Sequence, residues 1–126
     1  MNAVVSDAGV LLAADKNDRR AWAEHKAGLE FGVVPLVPAP VLAQVSRSPQ
    51  QLQLRRFLTG CVVVPLGERD AHDAGRLLGV SRTADVVDAA VAVTALRQKA
   101  IILTSDPDNI ERLIRASGRE IAAVAI

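Results

Sequence analysis

The chain has no tyrosine, and only two phenylalanines, one tryptophan and one cysteine among its 126 residues. So few rings disfavour base-stacking modules, which need aromatic platforms. Cys61 has no partner for an internal disulfide, which excludes a disulfide scaffold and makes a reducing cytosol the simplest setting. No apolar run is long enough to span a bilayer, and Asp7 interrupts the apolar start where a signal peptide would need none. A cytoplasmic protein with no membrane association is the expectation. The formal net charge is +1, so binding of a polyanion must come from local patches. No Gly-rich phosphate loop follows a strand, and there is no H-E-x-x-H and no readable Ser–His–Asp or Cys–His arrangement. His25, in a polar helical stretch, and His72, beside Asp73, are both expected to be exposed.

Half the residues are hydrophobic, nearly all of them Ala, Val, Leu and Ile. That profile suits a tightly layered α/β domain, and 126 residues suffice for one core, so residues 1–126 are read as a single domain. Strands are expected at Ala3–Ser6, around Val33–Pro35, at Cys61–Leu66, Ile101–Thr104 and Ile121–Ile126. Helices are expected over Gly9–Ala14, from Asp18 to about Ala27, and over Ala39–Val45, where Pro38 and Pro40 pre-set the first turn. Further helices are expected over Gln50–Leu58, Glu68–Leu78, Ala84–Gln98 with Thr83 as N-cap, and Pro107–Ala116. Strands alternating with helices imply a central parallel sheet with helices on both faces.

Acids stand at the edges of the apolar runs. Asp7 lies in the first strand-to-helix turn, Asp85 and Asp88 fall in RTADVVDAAVAVTA, and Asp106 and Asp108 follow a strand in IILTSDPDN. Strands of a parallel sheet end at one rim, so acids distant in sequence converge there. Each acid also has an ordinary explanation. Asp7 and Asp106 read as helix caps, and Asp85 and Asp108 as first-turn acids that complement a helix dipole. Asp88 fits that explanation least, because its neighbours are apolar or small and a buried aspartate needs a partner. Clustered carboxylates either bind a hard cation or take up protons in its place. The first option makes the chain a candidate metal-dependent phosphodiesterase. Gln44, the polar side chain in PAPVLAQV, is read either as a core amide or as a neutral oxygen ligand.

Four motifs, VVSDAGVLLA, PAPVLAQV, DVVDAAVAVTA and ILTSDPDNI, occur in that order over nearly the whole chain. In combination they resemble the PIN domain, and within it the VapC-type ribonuclease toxins. The resemblance implies an Mg²⁺- or Mn²⁺-dependent endoribonuclease acting on RNA, dimeric, and held inactive by a cognate antitoxin protein. It places Asp7, Asp88 and Asp106 in the metal site, with Asp85 as an additional acid. Asp85 or Asp108 would position the attacking water or a second metal. The chain departs from the pattern at Gln44, where the family carries Glu; an amide is a poorer Mg²⁺ ligand and no base. It departs again at Ala8–Gly9, where relatives place a small hydroxyl residue. Gln44 motivates an alternative, a catalytically impaired PIN domain that binds RNA or its antitoxin. A receiver-like fold would also put acids at strand ends, but no strand-end lysine is well placed for it.

A homodimer is expected through apolar faces on two helices, Val41, Leu42 and Val45 on one and Leu52, Leu54 and Leu58 on the next. Arg47, Arg55 and Arg56 on the same helices would favour an acidic antitoxin segment nearby.

Overall fold

A computed structural model describes residues 2–126. The elements run β1 (Ala3–Ser6), α1 (Ala8–Asp15), α2 (Arg19–Glu30), β2 (Val34–Pro38), α3 (Ala39–Val45), α4 (Leu52–Leu58), β3 (Val62–Val64), α5 (Glu68–Ser81), α6 (Val86–Gln98), β4 (Ile101–Thr104), α7 (Pro107–Ala116) and β5 (Ala123–Ala125). The five strands form one sheet in the order β3-β2-β1-β4-β5, with every pairing parallel. A receiver-like sheet runs 2-1-3-4-5, so that alternative is excluded.

The first strand sits at the centre because its Val5 pairs with Leu36 on one side and Ile102 on the other. Val5 and Ile102 are buried, and Val91 and Ala95 of α6 join them in the main core. Every residue of α6 from Ala89 to Leu96 is buried. Small alanines let this helix approach the sheet while α5 and α7 pack against it. Its one buried hydroxyl, Thr94, donates to the Ala90 carbonyl at 2.8 Å. The other face of the sheet lies under α2, with Val4, Pro35 and Leu103 beneath the helix.

Helix starts follow the caps. Asp18 caps α2 as expected, accepting from the Ala21 amide at 2.9 Å. The start of α6 is corrected: Thr83 does not cap it, because its hydroxyl is paired with Ser81 at 2.8 Å. Asp85 caps instead, so α6 begins at Val86 and Asp88 is its third residue. The fourth helix begins at Leu52, because the Gln51 side chain accepts from the Arg47 and Ser48 amides and folds the preceding turn. The edge strands β3 and β5 are shorter than expected.

Two surface expectations are also corrected. His25 is half-buried, stacked on Phe57 with ring centroids 3.8 Å apart and edge-on to Trp22. Burial lowers its pKa, against a smaller upward pull from the Phe57 backbone. The apolar faces of α3 and α4 are mostly spent inside: Val41, Val45 and Leu54 belong to the core, and of the six residues only Leu52, 66% exposed, lies open. These helices pack on α1, α6 and the sheet, which consumes the surface assigned to self-association. Among the described residues no helix is long and apolar enough to cross a membrane.

Candidate functional site

Asp7 leaves the end of β1 as the N-cap of α1 and is 3% exposed. Its Oδ1 accepts from the Val10 amide at 3.2 Å. Its Oδ2 accepts from the Thr104 hydroxyl at 2.5 Å and the Ser105 amide at 3.0 Å. A carboxylate this deep needs such donors. The Thr104 oxygen also accepts from the Asp106 amide at 2.9 Å, so one hydroxyl joins the first acid to the turn that carries the last.

Gly9 permits this join. A Cβ at Gly9 would lie 1.8 Å from Ser105 Oγ and 2.5 Å from Ser105 Cβ. The Ser105 side chain therefore fills the space a residue at position 9 would take.

Two more acids cap helices. Asp85 accepts from the Asp88 amide at 3.0 Å, at the start of α6. Asp106 accepts from the Asn109 amide at 3.5 Å, at the start of α7. The positive ends of three helices, α1, α6 and α7, thus each hold a carboxylate, and the dipoles favour those charges. Capping and clustering are the same arrangement here.

Asp88 is the acid that caps nothing. It is half-buried, and its Oδ2 accepts from Asn109 Nδ2 at 2.6 Å. Its pKa is pushed from 3.8 to about 6, first by burial and then by the charges of Asp85, Asp7 and Asp106, while the Asn109 hydrogen bond pulls it down. The structure thus brings Asp85, Asp7 and Asp106, from three segments, into electrostatic reach of Asp88. Asn109 bridges the cluster, giving its amide to Asp106 and its side chain to Asp88.

The acids do not close a direct cage. Among the described residues no three His, Cys, Asp or Glu side chains are gathered closely enough to hold a metal ion by themselves. Mg²⁺ keeps several waters and binds through one or two carboxylates. The donor set, all hard oxygens, fits such a hydrated cation. Asp108 is exposed on the first turn of α7 and is not among the charges acting on Asp88. Gln44 is exposed on α3, so the core-amide reading fails. Thr104 and Asn109 were not identified from sequence. The available signal was polar residues flanking Asp106 at the end of a buried strand.

No family model matches the chain, and no curated protein matches it. Solved structures do. A structure of VapBC2 from Rickettsia felis bound to a DNA fragment from the promoter matches with a TM-score of 0.70 and 14% identity, over 98% of each chain. A structure of FitAB bound to an IR36 DNA fragment matches with a TM-score of 0.67 and 12% identity, over 97% of this chain and 94% of that one. FitAcB from Neisseria gonorrhoeae matches with a TM-score of 0.66 and 13% identity, over 95% of both. At these identities the likeness concerns the fold, and the fold is the PIN-like one that the four motifs resemble.

Proposed function

We propose that this chain is an Mg²⁺- or Mn²⁺-dependent endoribonuclease and the toxin of a type II toxin–antitoxin pair. The observation that carries this reading is the acidic rim, where Asp7, Asp85 and Asp106 cap three helices around Asp88, whose pKa is raised first by burial and further by their charges. Such a cluster gains from a cation what it otherwise gains from protons. The likeness in fold to structures of VapBC2, FitAB and FitAcB supports the toxin part.

A bound divalent cation would supply polarisation of a phosphoryl oxygen and a lowered pKa for a coordinated water. The protein's part is to present oxygens. Asp88 and Asp106 each keep one carboxylate oxygen outside the cluster's own hydrogen bonds, as does Asp85. Asp88 and Asp106 would hold the hydrated ion through those oxygens, and the free oxygen of Asp85 would accept a proton from the attacking water. Asp7, committed to three donors, would contribute charge from a fixed position. Asn109 orients the Asp88 carboxylate. Asp108 receives no role, being exposed and outside the cluster.

The proposed partners are an RNA substrate, a cognate antitoxin and a second copy of the chain. With α3 and α4 turned inward, the apolar residues left for protein partners include Leu12, Leu29, Leu52 and Phe31, the last 83% exposed. The test is incubation of the purified chain with RNA and Mg²⁺ or Mn²⁺. Cleavage that stops in excess chelator is the expected result, and undiminished cleavage in chelator overturns it. The second reading, a binding module with impaired catalysis, is favoured by Gln44 and by the absence of a direct cage among the described residues. It predicts RNA or antitoxin binding with no cleavage in either metal.

A further inference from the structure

The net charge of +1 conceals a separation. Five of the fourteen acids, Asp7, Asp85, Asp88, Asp106 and Asp108, belong to the segments at the acidic rim, and fifteen basic residues face the other nine. Part of the basic surplus gathers in a recess of about 430 Å³ between α5, α6 and the end of α7. Arg69 and Arg76 reach it from α5, Arg97 from α6, and Arg119 from the segment after α7. Arg97 lies nine positions beyond Asp88, which is about 13 Å along a helix axis. The recess is therefore distinct from the acidic rim.

Four guanidinium groups face only two carboxylates, Asp70 and Asp73. Arg76 Nη2 donates to Asp73 Oδ1 at 2.6 Å. Arg97 Nη2 lies 2.6 Å from Asp70 Oδ1 and 4.0 Å from Asp73 Oδ2. Asp70 Oδ1 is buried yet accepts no aligned hydrogen bond. That pair holds by charge. Arg119 Nη2 donates to the Leu96 carbonyl at 3.3 Å, which fixes its guanidinium at the end of α6. Among the described residues no carboxylate lies within ion-pair distance of Arg69 or Arg119. The recess thus holds an excess of two positive charges, on forks three of which are already positioned. Positioned forks lose less freedom on binding, and they match tetrahedral oxyanions in geometry.

We propose that this recess is an anion site that takes a phosphate group. An excess of two charges suits one phosphate dianion or a short run of phosphodiesters. The phosphate comes either from an RNA backbone or from a small phosphorylated molecule. The RNA source rests on the function proposed above, and the small-molecule source does not.

Calorimetric titration with inorganic pyrophosphate at low salt tests the site. The proteins compared are the unaltered chain, the double variant Arg69→Ala/Arg76→Ala, and Arg20→Ala as a control on α2. The two arginines of the double variant are exposed, so the melting temperature should hold. The expected result is binding by the unaltered chain, weakened about tenfold or more in the double variant and unchanged in the control. A second titration uses a 2′-O-methyl RNA oligomer, which resists cleavage. If RNA is the source, the double variant also binds it more weakly, and the slope of log K against log salt shrinks by about 1.4. If RNA binding is unchanged while pyrophosphate binding falls, the site stands with a small phosphorylated ligand. No pyrophosphate binding by the unaltered chain, equal binding by the double variant, or preference for a polyglutamate peptide over pyrophosphate overturns the proposal. A chain that cleaves no RNA but binds pyrophosphate through these arginines overturns the nuclease reading and leaves this site intact.

Discussion

The Thr104 hydroxyl donates to Asp7 Oδ2 at 2.5 Å, joining the ends of two neighbouring strands across 97 positions of sequence. The Thr104 hydroxyl oxygen also accepts from the Asp106 amide. Thr104→Val keeps the shape but strips both bonds and leaves a buried carboxylate short of a donor. The expected loss is about 1–3 kcal/mol of stability, with Thr104→Ser retaining most of it. Urea denaturation of the three proteins measures this. A Val variant as stable as the Ser variant contradicts the role given to the hydroxyl.

Gly9→Ala drives a methyl group into the Ser105 side chain, 1.8 Å from its oxygen. The loss should be about 1–3 kcal/mol, as for overpacked cores. Ser105→Gly removes the obstructing atoms, so the double variant should recover most of the loss. Additive effects in the denaturation cycle would mean that the two positions do not share the space.

Asp88 gives the metal-free protein a pH signature. Its folded pKa of about 6 lies above the ordinary 3.8, so the folded chain holds the extra proton between those values. Its contribution is complete below the lower value and is lost as pH rises through the upper one. Asp88→Asn should therefore raise the melting temperature at about pH 7.5 and flatten its slope between about pH 4 and 7. The change should be modest, because the group is only half-buried and solvent screens it. His25 acts with the opposite sign: its lowered pKa stabilises above the ordinary 6.5 and is lost as pH falls. His25→Phe should remove that part while leaving the Asp88 slope in place. An unchanged pH profile in Asp88→Asn contradicts the crowding described at the rim.

Much of the fold was legible because its signals are local. The clearest case is Ile101–Thr104, whose bounds the structure repeats, as it does those of Ala3–Ser6 and of the helices Ala39–Val45 and Pro107–Ala116. What failed depends on partners distant in sequence or on competition between neighbours. Thr83 looks like the cap and Asp85 like a first-turn acid, until Ser81 takes the Thr83 hydroxyl and Asp85 caps instead. Val41, Val45 and Leu54 look like an interface until α1, α6 and the sheet are seen to cover them. His25 looks exposed in a polar helix until Phe57 stacks on it. At the site, the acids were visible from their placement at strand and helix ends. Thr104 and Asn109 were not, because their importance lies in what they donate to across the rim.

Gln44 offers a gain-of-affinity test. It is exposed on α3, which follows the β2 end of the same sheet and packs on α6. Gln44→Glu should leave stability within about 0.5 kcal/mol, as surface changes do. If position 44 faces the acidic cluster, the added carboxylate should tighten Mn²⁺ binding. Equal affinity in calorimetric titration would place position 44 outside the cation's environment.

The proposed function depends above all on a divalent cation binding at the acidic rim of Asp7, Asp85, Asp88 and Asp106. Titration of the metal-free chain with Mn²⁺, read by the electron paramagnetic resonance signal of free Mn²⁺, tests this most directly. Saturable binding by the unaltered chain is expected, weakened about tenfold or more in Asp88→Asn and in Asp106→Asn, with both variants folded. Binding of equal strength in all three proteins, or none in the unaltered chain, would contradict it.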